Sequence, residues 1–281
     1  MNQRKLTDEQ VFEAYKIYQE QHLSVAKLGK IYKCCSAVFL NEFKKFRLVR
    51  RDLSHSHQTF KINENYFDDI NTEEKAYWLG FLFADGCCYE NEVHINLAET
   101  DKHIVSNLSK VIYGEDRSKF KKKQKESRQN QQSLVIYNKH MFDTLVSIGM
   151  VPRKSLVLKF PSILKEEFYQ HFIRGYFDGD GCAYINYKRE LAYCSIVSTK
   201  EFCISLQEIL SKQGILAAIY KRNNYDQQNT YVLYVNHRLR SEKFLSWLYR
   251  DCLIKLNRKY NKYLEIIELN KKKGKSKYVN C

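Results

Sequence analysis

The sequence predicts an α+β fold of two pseudo-twofold-related halves, each running helix, two strands, helix, two strands, helix, preceded by a small all-α domain. Three observations carry that expectation. A segment at residues 77–89 (YWLGFLFADGCCY) returns at residues 172–184 (FIRGYFDGDGCAY), with Gly80/Gly175, Asp85/Asp180, Gly86/Gly181, Cys87/Cys182 and Tyr89/Tyr184 identical. Internal repetition signals a repeated structural unit. The elements after each copy also correspond in kind and order. Finally, small residues sit four apart in both copies, Gly80 with Ala84 and Gly175 with Gly179. Positions four apart are neighbours on a helix face, and a glycine inside a helix costs about 1 kcal/mol. Two helices that carry that cost are expected to touch backbone to backbone.

The elements follow in order. Residues 1–52 read as three short helices: Thr7 caps the first, with Asp8 and Glu9 in its opening turn, and Ser24 caps the second. A tight turn near Lys33-Cys34 leads to the third, whose basic exit carries Lys44, Lys45 and Arg47. That arrangement describes a helix-turn-helix that binds DNA, or a plain three-helix bundle with a solvated basic face. Residues 53–70 are polar and aperiodic and read as a linker. Repeat 1 then spans 71–162 and repeat 2 spans 163–270, leaving 271–281 as a basic tail. Within the repeats, strands are expected near 117–124, 132–137, 216–222 and 230–236, and helices near 139–149 and 239–250. An Arg-Lys pair closes each copy, Arg153-Lys154 and Arg258-Lys259.

Composition narrows the function. The formal charge of +15 favours a polyanionic partner, nucleic acid above all. Arg117, Lys119, Lys121, Lys123 and Lys125 alternate, which places all five on one face of a strand and suits contact with a phosphate backbone. The longest apolar run, Ala76–Ala84, is nine residues, under half of the roughly 20 that span a bilayer. No apolar leader is present at the N-terminus, so a secretory signal is not expected. Nine cysteines lack any C-x-x-C pair, which argues for reduced thiols in an intracellular protein rather than zinc.

Asp85 and Asp180 carry the chemistry. Each ends its helix just before a glycine suited to a left-handed cap, where negative charge opposes the helix dipole. A cation would reverse that penalty. Crossing helices would bring both carboxylates to the same end of the interface, where hard oxygen ligands suit Mg²⁺. A single Asp-Gly would be an ordinary turn dipeptide; two at matching positions of a repeat are not.

Residues 78–86 (WLGFLFADG) and 173–181 (IRGYFDGDG) resemble the LAGLIDADG motif, present twice as in single-chain homing endonucleases. The resemblance covers roughly residues 71–265. It implies an α-β-β-α-β-β-α fold per half and a saddle of antiparallel strands in the major groove of a long, asymmetric duplex site. It also implies Mg²⁺-dependent hydrolysis of both strands, leaving 3′ extensions, with two or three ions at the interface of the motif helices. The implied metal-site residues are Asp85, Asp180, Gly86 and Gly181. The sixth motif position, commonly acidic, is Asp178 in the second copy but Phe83 in the first. Lys159 resembles a lysine that precedes the second motif, with Lys154 its rival; Lys259 is the candidate in the second half. A DNA-binding regulator on an inactive nuclease scaffold and an RNA maturase are the alternatives, disfavoured because both acids are kept. A monomeric, free-standing, cytoplasmic and DNA-associated protein is expected.

Overall fold

The structure, a computed structural model, describes residues 6–21, 23–50, 61–122, 129–223 and 228–273. The chain divides into two compact units, residues 1–63 and 64–281.

The first unit holds α1 (Asp8–Glu20), α2 (Val25–Ile31) and α3 (Ser36–Lys45). Thr7 and Gln10 form a reciprocal capping box on α1, and the Ser24 hydroxyl accepts from the Lys27 amide at the start of α2. Lys33 takes a left-handed φ of 51° in the turn before α3. Val11, Ala14, Tyr18, Leu28, Phe39 and Phe43 form a closed apolar core. Lys44, Lys45 and Arg47 are exposed at the end of α3, where Lys45 lies 3.3 Å from Glu42.

The second unit begins inside the segment expected as linker. Tyr66, Phe67 and Ile70 are buried, Glu64 accepts from the Asn138 amide at 3.1 Å, and Asp68 contacts His140 at 2.8 Å. Residues 64–70 therefore belong to the packed unit, because their apolar side chains find a place in its core. Each half then repeats one plan. The first runs α4 (Glu73–Asp85), β1 (Gly86–Tyr89), β2 (Glu92–Ala98), α5 (Lys102–Tyr113), β3 (Lys119–Lys121), β4 (Gln131–Tyr137) and α6 (Lys139–Ile148). The second runs α7 (Tyr169–Asp180), β5 (Gly181–Asn186), β6 (Leu191–Ser198), α8 (Lys200–Lys212), β7 (Ala218–Lys221), β8 (Tyr231–Asn236) and α9 (Arg238–Tyr249). Both sheets are antiparallel with the same order, β1-β2-β4-β3 and β5-β6-β8-β7. Identical topology makes the second unit a structural repeat, as the sequence pattern predicts.

Three expectations change. The basic strand is short: β3 covers only residues 119–121, and Arg117 lies before it. The Arg117 amide donates to the Ser109 hydroxyl at 2.7 Å, and its guanidinium pairs with Glu115 at 2.5 Å and packs over Tyr113. These bonds hold it in the turn rather than on the strand face. Lys123 and Lys125 lie outside the described residues. A final helix, α10 (Asn257–Lys273), was not anticipated and absorbs the start of the basic tail. It follows the Arg-Lys pair of the second half, whereas in the first half that pair leads only into a single turn at Lys154–Leu156.

Candidate metal and nuclease centre

Helices α4 and α7 pack backbone to backbone, and the glycines explain how. A Cβ on Gly80 would overlap the Phe172 carbonyl oxygen, and one on Gly175 would overlap the Tyr77 carbonyl oxygen. Tyr77 and Phe172 are themselves equivalent in the repeat, so the contact is reciprocal about a pseudo-dyad. Ala84 and Gly179 meet one turn later, where a Cβ on Gly179 would also lie 3.0 Å from an Asp85 carboxylate oxygen. All four small residues expected at the interface are therefore in it.

This crossing brings Asp85 and Asp180 to one end of the helix pair. The glycines that follow are extended, Gly86 at φ −77° and Gly181 at φ −73°, and not left-handed as expected. Their requirement is space. A Cβ on Gly86 would strike Leu82 and Met150, and one on Gly181 would strike the Phe177 ring. Each helix thus runs straight into a strand, paired Gly86 with Ile95 and Gly181 with Ile196.

Asp85 is half-buried, and Asp180 reaches solvent at the edge of a closely crowded cleft. Burial raises the Asp85 carboxyl to about 6, helped by the charge of Asp180 and opposed by Lys259, Lys154 and Arg258. Asp180 is also raised, by loss of water around it, against the pull of Lys154 and Lys259. In both acids loss of water outweighs the pull of the neighbouring cations, so a further positive charge at this end of the helix pair would favour their ionised forms.

Two buried lysines flank them. Lys154 Nζ donates to the carbonyls of Ala84 at 2.9 Å and Gly86 at 2.7 Å. Lys259 Nζ donates to those of Phe177 at 2.5 Å and Gly179 at 2.8 Å. Each ammonium thereby adds a donor to carbonyls at the C-terminal end of one motif helix and offsets the dipole there. Burial depresses both, Lys259 to about 8. To bury Lys154, the chain holds Arg153 at a left-handed φ of 57°, a cost of about 1 kcal/mol for a residue with a Cβ. Lys159 is exposed, and its charge acts on Glu201 rather than on the motif acids. The structure therefore brings together Asp85, Asp180, Lys154 and Lys259, and leaves Lys159 outside the group. Beside them a cleft is lined by Lys154, Tyr176, Asp180, Ser198, Arg222 and Thr230.

The sixth motif position differs physically between the halves. Asp178 is fully buried and accepts from Tyr249 at 2.7 Å, the Leu256 amide at 2.7 Å and Tyr77 at 3.0 Å. Burial raises its pKa while these three donors hold it down. It ties α7 to both α4 and the segment leading into α10. Phe83 instead packs its ring 5.3 Å from that of Phe172. One further residue carried no sequence signal: Arg174, fully buried, donates to Glu73 at 2.5 Å and to the Ile254 carbonyl at 3.0 Å. It locks the opposite ends of the helix pair, and a lone arginine in an apolar motif gives no hint of that partner.

The raised Asp85 pKa makes stability fall with pH. The folded chain holds a proton that the unfolded chain releases between about pH 4 and 6. Stability is therefore greatest below that window and declines through it. Asp85→Asn removes the penalty and should stabilise the protein by about 1–2 kcal/mol at pH 8 in EDTA, partial exposure limiting the gain, with little change at pH 4. Urea unfolding at the two pH values checks this; equal gains at both would remove the titration argument.

Residues 167–248 match the LAGLIDADG-like domain family. No curated protein matches the chain at a significant level. Among solved structures, the meganuclease I-SmaMI bound to uncleaveable DNA aligns with TM-score 0.47 and 12% identity over 68% of this chain and 88% of that one. The I-LtrWI LAGLIDADG homing endonuclease bound to target DNA aligns at 0.47 and 12% over 75% and 92%. Full-length DUF199/WhiA from Thermatoga maritima aligns at 0.46 and 17% over 77% and 67%. Residues 167–248 are thus similar to a LAGLIDADG-like domain, and the first half of the second unit repeats the same elements around a matching Asp-Gly pair.

Proposed function

We propose that this protein is a site-specific double-strand DNA endonuclease of the homing type that works with Mg²⁺. The observation that carries the reading is the convergence of Asp85 and Asp180 at one end of a pseudo-symmetric helix pair, each acid beside a buried lysine. A surface that only bound DNA would gain nothing from two carboxylates facing phosphate.

The donor set fits a hard cation. Among the described residues no group of three or more His, Cys, Asp or Glu side chains could hold a metal ion. Zinc wants such a group, whereas Mg²⁺ is held by one or two carboxylates completed by water and phosphate. Asp85 and Asp180 would hold two or three such ions, with Gly86 and Gly181 at the same helix ends. Bound Mg²⁺ would polarise the phosphate and lower the pKa of an attacking water. The lysines offset negative charge that gathers on the phosphate. The exposed Lys119 and Lys121 face a duplex laid across the sheets, and the first unit adds contacts through Lys44, Lys45 and Arg47. One chain supplies both acids, so a monomer suffices and its target is long and asymmetric. Among the described residues no helix is long and apolar enough to cross a membrane.

The test is cleavage of a randomised plasmid library by the purified protein with Mg²⁺ or EDTA, followed by sequencing of the ends. Metal-dependent cuts at one long site with 3′ extensions are expected. Tight binding without cuts would favour a regulator. Within this reading Lys259→Met should slow cleavage about 100-fold, the cost of one lost electrostatic donor. Single-turnover rates check it, and an unchanged rate would make Lys259 only a helix cap.

A further inference from the structure

The same Arg-Lys pair reaches the two motif-helix ends by two different constructions. In the first half Lys154 opens a single turn, and Arg153 before it is held at a left-handed φ of 57°. In the second half Arg258 and Lys259 lie in the opening turn of the regular helix α10, and neither has a left-handed φ. Where Lys259 stands is therefore decided by where α10 begins.

The buried Asp178 holds that starting point. Its carboxylate accepts from the Leu256 amide, and the Leu256 carbonyl accepts from the amides of Lys259 at 3.0 Å and Tyr260 at 3.1 Å. One residue thus joins the acid to the turn that carries the lysine. The Tyr249 hydroxyl also donates to Asp178, and its ring packs 5.4 Å from Tyr260 and 5.8 Å from Tyr263, both on α10. Lys259 closes the circuit by donating to the carbonyls of Phe177 and Gly179, the residues on either side of Asp178. A buried carboxylate is costly to keep ionised unless donors surround it. The matching position of the first half is filled by Phe83, which has no polar atom to offer, so the fold of a half does not itself require an acid there.

We propose that Asp178 is a positioning residue for one of the two strand cleavages: by fixing the start of α10 it places the Lys259 ammonium at the end of α7. Lys154 serves the end of α4 without such an acid. This inference rests on the nuclease reading above and goes beyond it, because it makes the two centres unequal in what they depend on. Each lysine bonds the carbonyls of one motif helix, so each stands nearer one of two points of attack related by the pseudo-dyad. Displacing Lys259 slows one cut and spares the other.

The probe is a duplex carrying the site recovered from the plasmid library, its strands end-labelled with different fluorophores and cut under single-turnover conditions in Mg²⁺. Asp178→Asn keeps the shape of the side chain but loses the charge that grips the Leu256 amide. Tyr249→Phe keeps the ring packing on α10 and removes only the hydroxyl. Each should slow one strand about tenfold, the same strand that Lys259→Met slows, and leave the other within about twofold; a misplacement of about 1 Å can cost as much as about 100-fold. In a Lys259→Met background neither substitution should slow that strand further, because residues acting through one group are not additive. If Asp178→Asn does not fold, Tyr249→Phe carries the same test. Equal slowing of both strands, unchanged rates on both, or a further loss on top of Lys259→Met overturns the proposal and leaves the nuclease reading intact. A wild type that cuts neither strand overturns the nuclease reading and the proposal with it.

Discussion

Asp85→Asn and Asp180→Asn should each abolish double-strand cleavage, slowing it at least about 1,000-fold, while DNA binding without metal is kept or strengthened. The magnitude follows from removing charge that stabilises a transition state in a crowded site, where one lost group commonly costs 100- to 1,000-fold and a metal ligand costs more. Binding should not suffer because each substitution removes a negative charge that faces phosphate. The two variants should also be equal to each other to within the asymmetry of the halves, since Asp85 and Asp180 feel the same two lysines. Supercoiled plasmid carrying the target gives the readout, with nicked and linear products resolved over time. Retained linear product from either variant would remove that aspartate from the metal site.

Gly80→Ala and Gly175→Ala should each destabilise the second unit by about 3 kcal/mol or more, beyond the ordinary cost of overpacking. The added methyl has no side chain to displace, because what it meets is the carbonyl of Phe172 or Tyr77. Only separation of α4 from α7 could make room, and that would break contacts along both helices. Gly114→Ala is the control. Gly114 ends α5 at a φ of 75° with nothing within 4 Å of a built Cβ, so its cost is the left-handed conformation alone, about 1 kcal/mol. Denaturant midpoints for the three variants check the ranking, and a mild effect at Gly80 would mean that the helices do not touch through backbone.

The repeat made most of the fold legible. Paired Asp-Gly and small-residue spacings point to the helix pair, and turn and strand patterns place the sheets close to where they lie. Misreadings arose where tertiary context overrides local pattern. Tyr66, Phe67 and Ile70 look isolated in a polar stretch, yet they are buried, and their neighbours Glu64 and Asp68 bond to residues 138–144, far along the chain. Arg117 alternates correctly with the lysines, but Ser109 and Glu115 claim it first. Gly86 and Gly181 are needed, though for room rather than for a left-handed turn. Lys154 and Lys159 are indistinguishable as lysines in a sequence; only burial against helix-end carbonyls separates them. Arg174 is invisible because its partner, Glu73, lies on the other motif helix.

A helix pair seated on its peptide groups has no rotamers with which to adjust its spacing. The gap between Asp85 and Asp180 is therefore a ruler made of main chain, indifferent to the slow repacking that side-chain cores undergo as sequences diverge. The strands that hang from each helix end can exchange their outward residues freely while that ruler stays unchanged. Under the proposed nuclease reading, the choice of what to grip and the distance between the two points of action can be altered independently, one by substitution on the sheets and the other hardly at all.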